Sequence, residues 1–153
     1  MHLYTLHREQ WLPRPVEEVF AFFAEPRNLE ALTPPWLGFR ILTPLPIQMR
    51  RGARIKYQLS LHGLKLGWLT EIETWEPPFS FTDVQLRGPY RLWRHAHRFV
   101  PERGGVSVED TVVYALPLGP LGRLAHFLKV RRDLGRIFDY RHQRIAERFN
   151  TSP

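Results

Sequence analysis

Hydrophobic residues in this chain alternate over its long middle stretch and return to helical spacing near Leu121, and that change limits the fold more than any other feature. In the stretch before it, apolar side chains recur at every second position. Residues 53–61 (ARIKYQLSL) place Ile55, Tyr57, Leu59 and Leu61 on one face, and residues 64–75 do the same with Leu64, Leu66, Trp68, Thr70 and Ile72. Residues 79–87, 91–100 and 106–116 continue the pattern. Turn residues separate these runs: His62-Gly63, Pro77-Pro78, Gly88-Pro89 and Gly104-Gly105. Alternation broken by short turns predicts an antiparallel meander. After the change, Leu124, Leu128, Leu134, Phe138, Ile145 and Phe149 recur at spacings compatible with one side of a helix. Such a helix is roughly 40 Å long, and Gly135 weakens it slightly.

The first third adds four short pieces. Residues 2–12 read as a strand ended by Pro13. Pro15 then suits the first turn of a helix carrying Val16, Val19, Phe20 and Phe23, with Glu17 and Glu18 favourable at its positive end. Pro26-Arg27-Asn28 breaks it, NLEALT gives a second short helix, and residues 38–43 give a short strand. The expected order is one strand, two short helices, six strands and one long helix, in a single α+β domain spanning residues 1–153. The long helix must bury its apolar stripe, and the concave face of the sheet is the natural place. A curved sheet around a helix leaves an internal cavity.

Composition narrows the function. There is no cysteine, which excludes disulfides, a thiol nucleophile and thiolate zinc sites. No apolar run approaches the ~18 residues of a membrane-spanning helix. The first residues, Met1-His2-Leu3-Tyr4, lack a charged-then-apolar leader, so a cytoplasmic location is expected. Lys+Arg numbers 22 against 15 Asp+Glu, a net charge of +7, and lysine occurs only at 56, 65 and 129. Basicity of this kind suits an anionic partner. The arginines are scattered among acids rather than gathered, which disfavours nucleic acid and keeps a membrane surface as a candidate partner. The oligomeric state stays open between monomer and homodimer. No phosphate-binding Gly-rich motif, serine elbow or dinucleotide fingerprint occurs, and no cofactor is expected.

The sharpest chemical feature is the hairpin from Trp93 to Leu116. Trp93, His95, His97 and Phe99 share one strand face, as do Val106, Val108, Asp110, Val112, Tyr114 and Leu116 on the partner strand. A turn of even length puts both sets on the interior side and brings His95, His97 and Asp110 together. Three roles compete: a paired structural cluster, orientation of a ligand's polar head, or acid–base or metal chemistry. Two imidazoles and one carboxylate lack a further ligand in the pattern, so no metal is assigned. Asp83, Gln85 and Arg87 share a face with Phe79 and Phe81, while Val84 and Leu86 take the other. An exposed Asp83–Arg87 pair is the expectation; the alternative turns Asp83 and Gln85 inward towards the histidines. Most arginines of the long helix are expected in solvent, and Arg131, near the apolar stripe, is the one candidate to neutralise Asp110. The apolar loop Leu116–Gly122 packs ordinarily, gates the cavity, or touches a membrane or partner.

These pieces together resemble the SRPBCC superfamily, the START-like helix-grip proteins. The resemblance rests on Pro15–Phe23 followed by Pro26-x-Asn28-Leu29; Leu32-Thr33-Pro34-Pro35; Phe81-x-Asp83-x-Gln85; Gly88-Pro89-Tyr90-x-x-Trp93-x-His95-x-His97-x-Phe99; Asp110-x-Val112-x-Tyr114-x-Leu116-Pro117; and Ile137-Phe138-x-Tyr140-Arg141. They are similar to one bacterial subgroup of ligand-binding members. The resemblance implies a curved antiparallel sheet of about seven strands around a long C-terminal helix, with two short helices after the first strand. It implies non-covalent binding or transport of a hydrophobic or aromatic small molecule, such as a lipid, quinone or polyketide-like compound. The expected cavity lining is Tyr57, Leu59, Trp68, Ile72, Trp93, His95, His97, Phe99, Asp110, Val112, Tyr114, Leu128 and Phe138. One alternative is a cyclase or dehydratase that uses His95, His97 and Asp110. A further alternative is a protein that meets RNA, ribosome or membrane through its arginines.

Overall fold

The computed structural model describes residues 1–61 and 63–150. His62, half of the expected His62-Gly63 turn, lies outside the described residues. The elements in order are β1 (Tyr4–Leu12), α1 (Val16–Ala24), α2 (Asn28–Leu32), β2 (Arg40–Ile41), β3 (Arg54–Leu61), β4 (Leu64–Glu76), β5 (Ser80–Arg87), β6 (Leu92–Glu102), β7 (Gly105–Ala115), α3 (Gly119–Ala125) and α4 (Arg131–Phe149). A π-helical turn, His126–Val130, joins α3 to α4 without a break. The seven strands form one antiparallel sheet in the order β1-β7-β6-β5-β4-β3-β2. This is the helix-grip arrangement.

The sheet bends because its ladder is irregular. Register shifts fall between Leu69 and Thr70 and between Ile72 and Thr74 on β4, and such bulges increase local twist. The expected strand at 38–43 shrinks to Arg40–Ile41. Leu42 and Thr43 both turn their N–H groups to the Lys56 carbonyl, which ends the regular pairing.

Apolar residues pack into two clusters at opposite ends of the concave face. One gathers α1 against the sheet through Val19, Phe20, Phe23, Phe81, Phe99 and Phe149. The other joins Trp68, Trp93, Val112 and Tyr114 to Leu134 and Phe138 of α4. The stripe Leu134, Phe138, Ile145 and Phe149 faces the sheet as expected. Leu124 and Leu128 do not; they are 54% and 64% exposed. Leu128 falls within the π-helical turn, six positions before Leu134, and that spacing does not return it to the same side of the helix. No helix among the described residues is long and apolar enough to cross a membrane.

Candidate functional site

The site is set by a two-residue turn. Glu102 pairs with Gly105, so Arg103 and Gly104 alone connect β6 to β7. Both have positive φ, 52° and 72°, the conformation that matches hairpin twist. Gly105, expected in the turn, instead begins β7, where a Cβ would collide with the Leu12 carbonyl. The even count places Trp93 opposite Tyr114, His95 opposite Val112 and His97 opposite Asp110. On the other side of β6, Asp83 of β5 stands opposite His95.

Five ionisable groups meet there. His95 Nε2 lies 2.9 Å from Asp110 Oδ1. His97 Nε2 lies 2.7 Å from Asp83 Oδ2. His97 Nδ1 is 3.2 Å from Asp110 Oδ1, within ion-pair range but outside hydrogen-bond alignment. Arg141 of α4 donates from Nε to Asp110 Oδ2 at 3.4 Å. The two imidazoles stack at 3.8 Å between centroids, and Phe81 stacks on His97 from the other side at 4.2 Å. His95, His97, Asp110 and Arg141 are buried, and Asp83 is half-buried.

Their protonation follows from their neighbours. Burial pushes Asp110 towards the neutral acid, but Arg141 and the two histidines outweigh it and hold the carboxyl well below its usual range. Asp83 is lowered too, its burial outweighed by His97. Burial opposes charge on His97, yet the flanking carboxylates of Asp110 and Asp83 raise it. His95 is lowered by burial and by His97 beside it, despite Asp110. With Asp83 and Asp110 ionised, Arg141 and His97 charged and His95 neutral, the five groups sum to zero. A low-dielectric site favours that balance. An ionised Asp110 can only accept, so the neutral His95 carries its proton on Nε2. Its Nδ1 is then a free acceptor.

Between the two packed clusters lies a cavity of about 430 Å³. Tyr57, Leu59, Trp68 and Ile72 from β3 and β4 line it. So do Trp93, His95 and His97 from β6 and Phe138 from α4. Five other expected lining residues stand elsewhere. Phe99 packs under α1, 5.3 Å from the rings of both Phe20 and Phe23. Asp110 sits behind the histidines, and Val112 is fully buried in the sheet–helix core. The Tyr114 hydroxyl is hydrogen-bonded to His126 Nε2 at 2.7 Å, outside the cavity. Leu128 lies on the outer face of the helix.

Sequence reasoning ranked one member of the site second and missed another. Asp83 faces inward with Phe81, which overturns the expected Asp83–Arg87 surface pair; the period-two step from Phe81 was the available signal. Arg141, not Arg131, neutralises Asp110. Arg131 is exposed, whereas Arg141 lies three residues after Phe138 and four before Ile145, on the buried stripe. Gln85 closes the Gly88-Pro89 turn by bonding the backbone of Tyr90 at both ends of its amide.

Among the described residues four buried side-chain nitrogens have no hydrogen-bond partner: Arg8 Nε, Trp68 Nε1, His97 Nδ1 and Arg141 Nη2. Of these, Trp68 and Arg141 line the cavity and present theirs without an ion-pair contact to Asp110 through the same atom. Burial also raises the phenols of Tyr57 and Tyr90, which therefore stay neutral. Asp83, His95 and His97 each offer a metal-ligand atom within 4.8 Å of the others. A cation held through His97 Nε2 would break the bond to Asp83, and Arg141 already supplies the positive charge that Asp110 needs.

The family described as "Polyketide cyclase / dehydrase and lipid transport" matches residues 12–136, and the chain belongs to that family. None of the curated proteins matches. Protein CV1439 from Chromobacterium violaceum has the same fold, with a TM-score of 0.72 at 14% identity over 97% of this chain and 99% of that one. A norcoclaurine synthase point mutant from Thalictrum flavum, solved with a transition-state analogue, gives 0.66 at 10% identity over 96% of each chain. A nucleoside-diphosphate sugar epimerase from Corynebacterium glutamicum gives 0.62 at 28% identity, with 93% of this chain covering 28% of that one.

Proposed function

We propose that this member of the family binds an apolar or aromatic small molecule non-covalently, with the chemistry of a lipid, a quinone or a polyketide-like compound. The observation that carries this reading is the cavity of about 430 Å³ between β-sheet and α4. Ligand pockets occupy roughly 300–1,000 Å³ and are mostly apolar with a few placed polar groups. Burial of apolar ligand surface at about 25 cal/mol per Å² supplies the attraction. Orientation comes from His95 Nδ1 as acceptor and from Trp68 Nε1–H and Arg141 Nη2 as donors without protein partners. A ligand with both a hydroxyl and a carbonyl oxygen matches that set.

The test is native mass spectrometry of freshly purified protein, followed by denaturing extraction, with 8-anilinonaphthalene-1-sulfonate as a fluorescent reporter. A released organic species, or saturable dye binding that Leu59→Trp abolishes, supports the reading. An empty protein whose dye signal neither saturates nor responds to that substitution removes it.

The neutral His95 favours a second reading, acid–base catalysis of a cyclase or dehydratase type. Nδ1 would take a proton from a bound substrate, and Asp110 would stabilise the imidazolium through Nε2–H. His97 would hold Asp83 and Asp110 in place. Turnover lost in His95→Gln with binding retained separates catalysis from carriage.

A further inference from the structure

The helix that follows β7 is built inside out. Its buried positions are Gly122 and the polar His126, one turn apart. Gly122 presses on the Pro117 carbonyl, where a Cβ would collide. His126 is anchored by the Tyr114 hydroxyl and by stacking on Tyr4 at 3.5 Å between centroids. The solvent face instead carries Leu121 at 68% exposure, Leu124 at 54%, Phe127 at 79% and Leu128 at 64%. Leu118, just before the helix, is 74% exposed. Normal amphipathic packing puts such residues against the core, and exposed apolar crests of this kind mark interaction sites.

The surrounding charge has one sign. From Pro117 to Arg132 there is no carboxylate, while Arg123, Lys129, Arg131 and Arg132 are all exposed. The first acid, Asp133, is half-buried and pairs with Lys129 at 3.4 Å. An apolar crest flanked by cations is the pattern of a helix lying in the headgroup layer of a membrane. Anionic headgroups attract such cations at close range.

We infer that the outer face of α3 and the π turn docks this protein on an anionic phospholipid bilayer, with Leu121, Leu124, Phe127 and Leu128 entering the interface and the four cations meeting lipid phosphates. A second copy is a poorer occupant, because pairing two such faces opposes like charges. The crest is also short beside the ~20–30 residues per side of a standard protein interface. Nucleic acid would match the cations but leave the leucines in water. The two residues that bracket the segment, Leu116 and Val130, line the cavity. The docked face therefore adjoins the cavity wall, and a bilayer is where an apolar ligand would be held. The docking does not depend on the ligand reading.

Flotation with extruded vesicles tests it, using phosphatidylcholine alone and with about one part in four of phosphatidylglycerol. The full chain is expected to float with the anionic vesicles, to float less as salt rises, and to stay behind with neutral ones. Phe127→Asp with Leu128→Asp should lower partitioning at least ~10-fold. Arg123→Gln with Arg132→Gln should lower it less and weaken its salt dependence. All four side chains are exposed, so circular dichroism and the unfolding temperature should match wild type. Absence of wild-type flotation overturns the inference, as does equal flotation of the aspartate variant. Sedimentation showing a dimer that the aspartate variant dissolves assigns the crest to a second copy and also overturns it.

Discussion

Asp83 stands opposite His95 in the β5–β6 ladder, yet its Oδ2 takes a 2.7 Å bond from His97 Nε2, two residues further along. The diagonal choice leaves His95 to Asp110 and places the His97 ring between two carboxylates. Near pH 6.5 one imidazole is thereby favoured in its charged form and its stacked neighbour in its neutral form.

This difference fixes a pH window. His97 is raised above the free value of 6.5, so its stabilising contribution is full below 6.5 and lost as pH rises through its folded value. His95 is lowered from 6.5, so below 6.5 the unfolded chain binds a proton that the folded chain refuses. The contributions of Asp83 and Asp110 are present above 3.8 and lost as pH falls through their depressed values. Stability is therefore greatest near pH 6.5 and falls as pH rises from there through the His97 value. Ring-nitrogen NMR should show one core histidine titrating above 6.5 and the other below; two rings titrating together near 6.5 contradict the assignment.

Asp110→Asn leaves Arg141 and His97 charged and buried with one carboxylate between them. The expected loss is about 3–5 kcal/mol of unfolding free energy. Arg141→Gln should cost nearly as much, since Asp110 then lacks its strongest counter-charge. The double variant should lose less than the sum, with a coupling of about 0.5–3 kcal/mol. Urea titration of the four proteins measures it, and strict additivity rules the pair out as a unit.

Leu59 lines the cavity and is half-buried. Leu59→Trp should occupy that space with little strain, keeping stability within about 1.5 kcal/mol of wild type. Binding of 8-anilinonaphthalene-1-sulfonate should disappear. A variant that unfolds early shows instead that the wall cannot accept added volume.

Arg103 holds φ at 52° in the β6–β7 turn, a conformation that Asn tolerates better than Arg. Its ion pair with Glu102 at 3.6 Å is exposed and worth little. Arg103→Asn should raise the urea midpoint, equivalent to about 0.5 kcal/mol. A lower midpoint would show that the contact of Arg103 with the Trp11 ring matters more than turn geometry.

The sheet was legible because Ile55, Trp68, Ile72 and Phe99 alternate with polar neighbours and Gly/Pro turns bound each run. The meeting of His95, His97 and Asp110 was legible from turn parity alone. Asp83 was legible only as the second choice, since the residues beyond it on its face are Gln85 and Arg87, and a polar face reads as a wet one. Arg141 was hidden for a similar reason: among several helical arginines, only contact with Asp110 distinguishes it. Leu128 misled because a repeat of leucines looks continuous even where the helix has turned it outward. Burial depends on what lies across from a residue, and periodicity does not report that.

The cavity separates two well-packed clusters, one under α1 and one under α4. Aromatic and aliphatic walls face each other there without the dispersion contacts that a closed core would make. A molecule that fills the gap completes the core, and it binds the folded chain alone. Its affinity then appears as added stability, by about 2.7 kcal/mol when its concentration is a hundred times the dissociation constant. The unfolding temperature of this protein thus reports any compound that fills the cavity. Compounds of unknown relevance can be ranked by how far they raise it, before any reaction or pathway has been guessed.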